Sequence, residues 1–382
     1  MYGWGYHRVT LDNLIAFAWS APMRELAAQV GLSDVGLKKL LKSHGVFGPP
    51  QGHWNRVHAG RSVPEPPAAP ARGPGKRPYI QVDRRLAHLP EAAFPSSAGP
   101  FASAKVPENL EELRAKTLKA VGRPASAAKI TNPHPAIRML LAQDEKEQAK
   151  AAENRWHTAN ILYGSPFEKR RLRILNALFL TLTRQGHDAG SDRQDHHTEF
   201  SAFIGDTRVS VNLDEAGRKA SIYNRYTAPR PDPKRSASVK LRLTVGNASW
   251  QDDAAGTLES KIAEITAGLI VEGERAYREH LRELEEQAER ERVAAERRRQ
   301  ERLAKANADR SAALIESGRL LAEAENLRSL TARVAMAVAD GRLDMSATQL
   351  AEWRNWADQE ADKLDPVISG QVEAHLLPPN CD

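Results

Sequence analysis

The sequence predicts a mainly α-helical chain with a small α+β part: an N-terminal helix-turn-helix, a short antiparallel sheet in the middle and long C-terminal helices. Three patterns carry that expectation. Apolar residues recur at helical spacing across 11–43, with serine and glycine placed as start and stop signals. The pattern switches to strict alternation over 200–213 and again over 239–245. From about Leu258 to Ala339, helix formers dominate.

Leu11 to Trp19 reads as one apolar-rich helix. Pro22 then sits just inside a second, where its missing N–H costs nothing. Met23 to Val30 is short and amphipathic, and Gly31 ends it. Ser33 caps a third helix, with Asp34 favourable in its first turn, running to about Ser43 and stopped at His44-Gly45. These elements define a first domain over 1–61. Prolines at 64, 66, 67, 70, 74 and 78 make the next stretch extended, and 79–106 stay rich in Pro, Ala and Ser. Residues 62–106 are therefore expected to be a flexible linker.

Helices resume at about 107–121 and 135–156, the latter entered by Pro135. Residues 166–185 form a strongly apolar helix ended by Gly186. Phe200–Ile204, a Gly205-Asp206 turn and Thr207–Leu213 read as a hairpin. Val209, Val211 and Leu213 share one face; Arg208, Ser210 and Asn212 share the other. Val239, Leu241, Leu243 and Val245 mark a third strand, and the polar 214–237 between them reads as a long mobile loop. With a helix at 257–271 these elements make an α+β domain over 107–271.

Residues 272–382 are expected to be a helical arm with a last helix. Leu281, Leu284 and Ala288 give a short seam, but 289–310 is nearly all Glu, Arg, Gln and Ala. Such a segment is either a solvated arm or a thinly seamed coiled coil. If continuous, the helical stretch would span about 120 Å at 1.5 Å per residue. Gly318 and Asp340-Gly341 are expected breaks. The last helix, from Ser346 to about Lys363, carries Leu350, Trp353 and Trp356 at helical spacing.

Composition excludes several classes. The single cysteine, Cys381, excludes a disulfide framework or a Cys-rich zinc module. No run of about 18 apolar residues exists, so no spanning helix and no membrane partner are expected. The N-terminus lacks a basic region followed by an apolar stretch, which points to a cytoplasmic, nucleoid-associated location. The formal charge of +6 is unevenly placed. Residues 1–85 hold twelve Lys/Arg against five Asp/Glu, while the rest hold 43 against 44. A positive excess confined to the first fifth of the chain points to a polyanion partner there.

The pattern within that segment is a helix-turn-helix. Leu26 and Val30 lock the two helices, Ala27 is the small residue at their crossing, and Gly31 makes the turn. Leu32, Leu37 and Leu40 are the apolar seats beyond it. The opposite face then offers Ser33, Asp34, Gly36, Lys38, Lys39 and Lys42 to double-stranded DNA. Lys38 and Lys39 are placed for guanine edges or the backbone, and Lys42 for phosphate. A helical hairpin with a solvated lysine face is the competing account. Trp54 is expected to anchor residues 48–61 onto the helices, which would set Arg56, His58 and Arg61 beside the lysines as phosphate contacts. The alternative there is a packed cap with exposed polar residues. Arg72, Lys76 and Arg77 are candidates for a minor-groove arm, although Gly75-Lys76-Arg77-Pro78 matches the usual Arg-Gly-Arg-Pro core only in part, and a plain linker is the favoured account.

Ser20-Ala-Pro-Met-Arg-Glu-Leu-Ala27, Gly31-Leu-Ser-Asp-Val-Gly-Leu-Lys-Lys39 and Pro49-Pro-Gln-Gly-His-Trp54 together resemble a helix-turn-helix segment of proteobacterial hypothetical proteins. Residues 353–366 also resemble the close of such chains. The resemblance implies DNA binding for about residues 10–60 and little about the rest.

The best candidate for chemistry is His187 to His197, where His196 and His197 with Asp192 or Asp195 could in principle hold a divalent ion. Their spacing matches no metalloenzyme pattern, and a polar loop is the better account. No phosphate-binding loop and no nucleophile elbow are present. No catalytic residue, metal or cofactor is expected, and the chain is not expected to be an enzyme. The expected function is a transcriptional regulator or locus-specific DNA-binding factor, assembled into a homo-oligomer through its C-terminal helices. The alternative is a structural adaptor of a mobile-element or defence assembly, tethered to DNA by its head.

Overall fold

The computed structural model describes residues 7–154, 159–194, 197–217 and 232–376. The protein is mainly α-helical with some β structure. It divides into two compact units, Met1–Leu284 and Glu285–Asp382.

The first unit opens with β1 (His7–Val9) and four helices: α1 (Leu11–Ala18), α2 (Met23–Gln29), α3 (Asp34–Ser43) and α4 (His53–His58). Thr10 caps α1, its hydroxyl accepting from the Asn13 amide. Val9, Leu14, Phe17, Leu26, Leu37 and Leu41 form the centre of a small core. Burying each of these large side chains stabilises the head by roughly 1.5–3 kcal/mol.

The segment expected to be a flexible linker is built into this unit. β2 (Ile80–Val82) pairs antiparallel with β1, Val9 opposite Ile80. Val82, Leu86 and Leu89 complete the head core, and a short 3-10 turn at Arg84–Leu86 positions the last two. The head therefore extends well past residue 61.

Further along come α5 (Leu110–Val121), α6 (Pro135–Glu153) and α7 (Pro166–Arg184). Ser165 caps α7 by accepting from the Glu168 amide, and Pro166 sits at its first turn. A five-stranded antiparallel meander follows: β3 (Asp188–Gln194), β4 (His197–Ile204), β5 (Thr207–Glu215), β6 (Leu241–Val245) and β7 (Ala248–Gln251). Phe167, Leu172, Leu175, Phe179 and Leu182 of α7 share one core with Phe200, Ile204, Val211, Leu213 and Leu243. The first turns of α8 (Ile262–Ala339) close it with Ile262, Ile265 and Leu269.

The sheet has five strands where alternation predicted three. The expected loop 187–197 contains β3, whose Asp192 pairs in register with Glu199. An edge strand is held by backbone hydrogen bonds and need bury few side chains, so β3 shows no apolar alternation. Asp195 and His196 lie outside the described residues, as do residues 218–231 of the expected mobile loop and Cys381.

In the second unit, α8 continues through Gly318 and ends before Asp340-Gly341. One of the two expected breaks is thus absent: a single helical glycine costs only about 1 kcal/mol. α9 (Ala347–Leu364) starts with a reciprocal capping box between Ser346 and Gln349, and α10 (Glu373–Leu376) follows. Arg328 of α8 pairs with Asp362 and Asp365, each at 2.9 Å. Arg310 donates to the His375 carbonyl at 2.8 Å. The most buried α9 side chains are Ala357 and Ala361, whereas Trp356 is 58% exposed. Among the described residues, no helix is long and apolar enough to cross a membrane.

Candidate nucleic-acid interface

The two helices pack largely as their spacing predicts, except that Leu32 and Leu40, expected as seats, are half-buried against the core and Leu41 is the second buried seat on α3. Leu26 and Ala27 are buried on α2, Leu37 and Leu41 on α3, and Val30 between them. α2 ends in a Schellman turn: the Gly31 amide donates to the Ala28 carbonyl, and Leu32 to the Ala27 carbonyl at 2.9 Å. Gly31 has φ +65, a conformation that a residue with a Cβ adopts only under strain. Ser33 then caps α3, its hydroxyl accepting from the Gly36 amide at 3.1 Å. The Ser33 oxygen is thereby committed to the fold. A Cβ at position 36 would press on it, which explains the glycine.

Lys38, Lys39 and Lys42 are exposed and form no ion pair among the described residues. At about 100° per residue they fall on one arc of α3, turned away from Leu37 and Leu41. Val35 shares that arc and is 62% exposed. Sequence reasoning passed over it, although positions 35, 38, 39 and 42 have the i, i+3, i+4, i+7 spacing of a single face. An exposed apolar group between lysines is suited to a thymine methyl. Asp34 is exposed at the edge of the arc, and Gly36 is half-buried towards Ser33.

Residues 48–58 are anchored differently from expectation. The buried ring is His53, packed edge-on against Trp19 at 5.4 Å and Trp54 at 5.1 Å. Trp54 itself is only half-buried. Trp19 donates its indole N–H to the Phe47 carbonyl at 2.9 Å. Arg56 and His58 on α4, and Arg61 beyond it, are exposed.

Arg72 is not available as part of a minor-groove arm. Arg72 forms a two-pronged pair with Glu274 of α8, at 2.8 and 2.9 Å, and stands 5.2 Å from the Tyr277 ring. Its side chain is 12% exposed and that of Glu274 is fully buried. Burial pushes the Glu274 carboxyl up, but hydrogen bonds from Arg72, the Gly75 amide and Arg278 outweigh it and hold it below its usual range. The Gly75 carbonyl accepts from the Asp206 amide and the Thr207 hydroxyl, each at 3.0 Å, and the Arg77 amide donates to Asp206 at 2.9 Å. A guanidinium consumed by a buried carboxylate cannot enter a groove. Of the three, Lys76 alone is exposed; Arg77 is half-buried.

Other buried charges are likewise spent on structure. Arg170 pairs with Asp252 at 2.9 Å and Glu259 at 2.8 Å. Asp144 accepts from Arg193 and from the amides of Leu162 and Tyr163. Burial pushes the Tyr163 hydroxyl up to about 12. Among the described residues, no group of three or more His, Cys, Asp or Glu is placed to hold a metal ion. Comparison with protein-family models, curated proteins and solved structures finds no match to this chain.

Proposed function

We propose that this protein binds double-stranded DNA, with α3 entering the major groove, as a transcriptional regulator or locus-specific DNA-binding factor. The observation that carries the reading is the exposed face Val35, Lys38, Lys39 and Lys42 on a fully packed helix-turn-helix scaffold. The basic excess of the first 85 residues supports it, since phosphate neutralisation supplies most non-specific affinity. Ser33 and Gly36 shape the helix start, Asp34 borders the face, and Arg56, His58 and Arg61 supply flanking phosphate contacts. The C-terminal helices join copies of the chain, giving a nucleoid-associated homo-oligomer.

The test is fluorescence anisotropy of a labelled duplex with the full chain. Lys38→Ala/Lys39→Ala/Lys42→Ala is expected to weaken binding. It should also flatten the dependence of log affinity on log salt by about 0.9 for each phosphate no longer neutralised. Unchanged affinity and slope sink the proposal. Chromatin immunoprecipitation with sequencing then identifies the target.

A further inference from the structure

Among the described residues of the second unit, no large aliphatic or aromatic side chain is buried. The seam between the last part of α8 and α9 is made of small groups. Ser317, Ala324 and Thr331 are buried on α8, and Ala357 and Ala361 on α9. The α8 set recurs every seven residues, and each member is followed three positions later by a larger apolar residue: Leu320, Leu327 and Val334. At about 100° per residue the two sets point differently. The small set faces α9. The large set is turned to one side of the helix pair, opposite the side on which Arg328 meets Asp362 and Asp365. On α9, Trp353 and Leu364 are turned the same way, away from those aspartates. All five of these large side chains are half-buried, and Leu330 and Trp356 beside them are 50% and 58% exposed. One side of the hairpin thus presents an apolar strip running about 20 Å along α8.

We infer that this strip is covered by the same strip of a second copy of the chain, so that two α8–α9 hairpins close into a four-helix bundle. The inference rests on the reading that the C-terminal helices join copies, and it names the face that joins them. A layer of helices with one apolar side is stable only when a second layer covers that side. Two hairpins stacked about a two-fold axis supply that layer to each other, and the two-fold is the commonest symmetry of soluble dimers.

Three observations favour a second copy over another occupant. The charges bordering the strip already have partners, Arg319 with Glu316 and Glu323, and Lys363 with Glu360. The strip therefore calls for an apolar surface and offers a polyanion or an acidic segment nothing. One side of residues 316–338 and 349–364 amounts to about 20 residues, which is what each partner contributes to a stable protein interface. A surface needed to complete a core must also be present whenever the chain is made, and a second copy always is. The strip carries two tryptophans among leucines, with the small seam behind it, which matches the aromatic enrichment of such interfaces.

Sedimentation equilibrium on the full chain without duplex reads the association, with a dimer expected. Leu330→Ala/Trp356→Ala should weaken it at least about tenfold, with helicity retained by circular dichroism. Leu314→Ala/Met336→Ala removes apolar groups that are 58% and 64% exposed on the Arg328 side of α8, and should leave the association unchanged. A second readout alters no apolar side chain. In a Cys381→Ser background, spin labels on Glu323→Cys, at the border of the strip, should stand closer between copies than labels on Glu325→Cys, on the far side of α8, by about one helix diameter of 10 Å. A wild-type chain that stays monomeric overturns both the inference and the reading it rests on. A dimer that Leu330→Ala/Trp356→Ala leaves intact, or that both double variants weaken equally, overturns the inference and leaves the oligomer reading standing. Label distances that are equal or reversed do the same, and they decide the matter if the first double variant loses its helicity.

Discussion

Arg72 shows how one side chain can reassign a whole segment. By local chemistry it sits in a Gly/Pro-rich stretch and looks like a phosphate contact. In the fold it neutralises a fully buried carboxylate 202 residues away. Removing one member of a buried pair typically costs about 3–5 kcal/mol, because the other charge stays buried and uncompensated. Arg72→Ala is expected to lower the urea midpoint accordingly, with Arg278 retaining part of the compensation. Arg319→Ala, which breaks an exposed helix pair with Glu316, should leave the urea midpoint essentially unchanged, because solvent screens the pair. Equal effects for the two variants would refute the buried-pair account. Titration belongs to this scale too. Burial lowers the imidazole pKa of His44, His134 and His187, with Asp188 partly opposing the shift at His134. Their folded values lie below the unfolded value of about 6.5, so the unfolded chain binds protons first. Stability is therefore fully present above about pH 6.5 and is lost as the pH falls below it. His134→Asn, which keeps an acceptor for the Ala136 amide, combined with His187→Gln should flatten that loss in urea titrations. A pH dependence steeper than the wild type would contradict this.

At the scale of elements, the longer helices were legible because their ends are written locally, whereas the short α4 and α10 were not read. Thr10, Ser33, Ser165 and Ser346 each cap the helix that follows, and Gly31 and Gly186 each close one. Gly31→Val should destabilise the head by about 1–2 kcal/mol through the strained turn alone, with the lysine face left chemically intact. A thermal scan showing no shift would mean the turn tolerates the side chain. The hairpin β4–β5 was legible for a similar reason, since alternation and a Gly-Asp turn coincide. β1, β2, β3 and β7 were not. β1 and β2 have three residues each, and β3 and β7 are edges with polar or mixed sequence. Their pairing is set by the strand beside them, which no local window contains. His53 was missed for a related cause: beside a tryptophan, the larger ring was expected to be the anchor, but it is His53 that packs edge-on against both Trp19 and Trp54 and is buried.

For the molecule as a whole, charge placement is the organising feature. The head carries the net positive charge, and within α8 a net −4 over 279–291 is followed by a net +4 over 292–305. DNA binding should therefore weaken with salt, and sedimentation of the chain without duplex reads any pairing of copies separately from it. The head is also less separable than a linker at 62–106 implied. Cutting after residue 85 would remove Val9, Leu14 and Val82 yet leave Leu86 and Leu89 without their core. Point variants on α3 are thus the cleaner probe of function.

The sequence by itself determined the longer helices, their caps, the helix-turn-helix spacing, the central hairpin and the basic excess of the first 85 residues. All of these are set by residues within a few turns of one another. Only the tertiary structure decided that residues 72–92 belong to the packed first unit, that Arg72 faces a carboxylate, and that β3 and β7 complete the sheet. Each of those outcomes rests on backbone pairing or a single buried ion pair between distant positions. Such contacts leave no periodicity in the chain. They form because a buried charge and an unpaired strand edge must each find a partner once the core has closed.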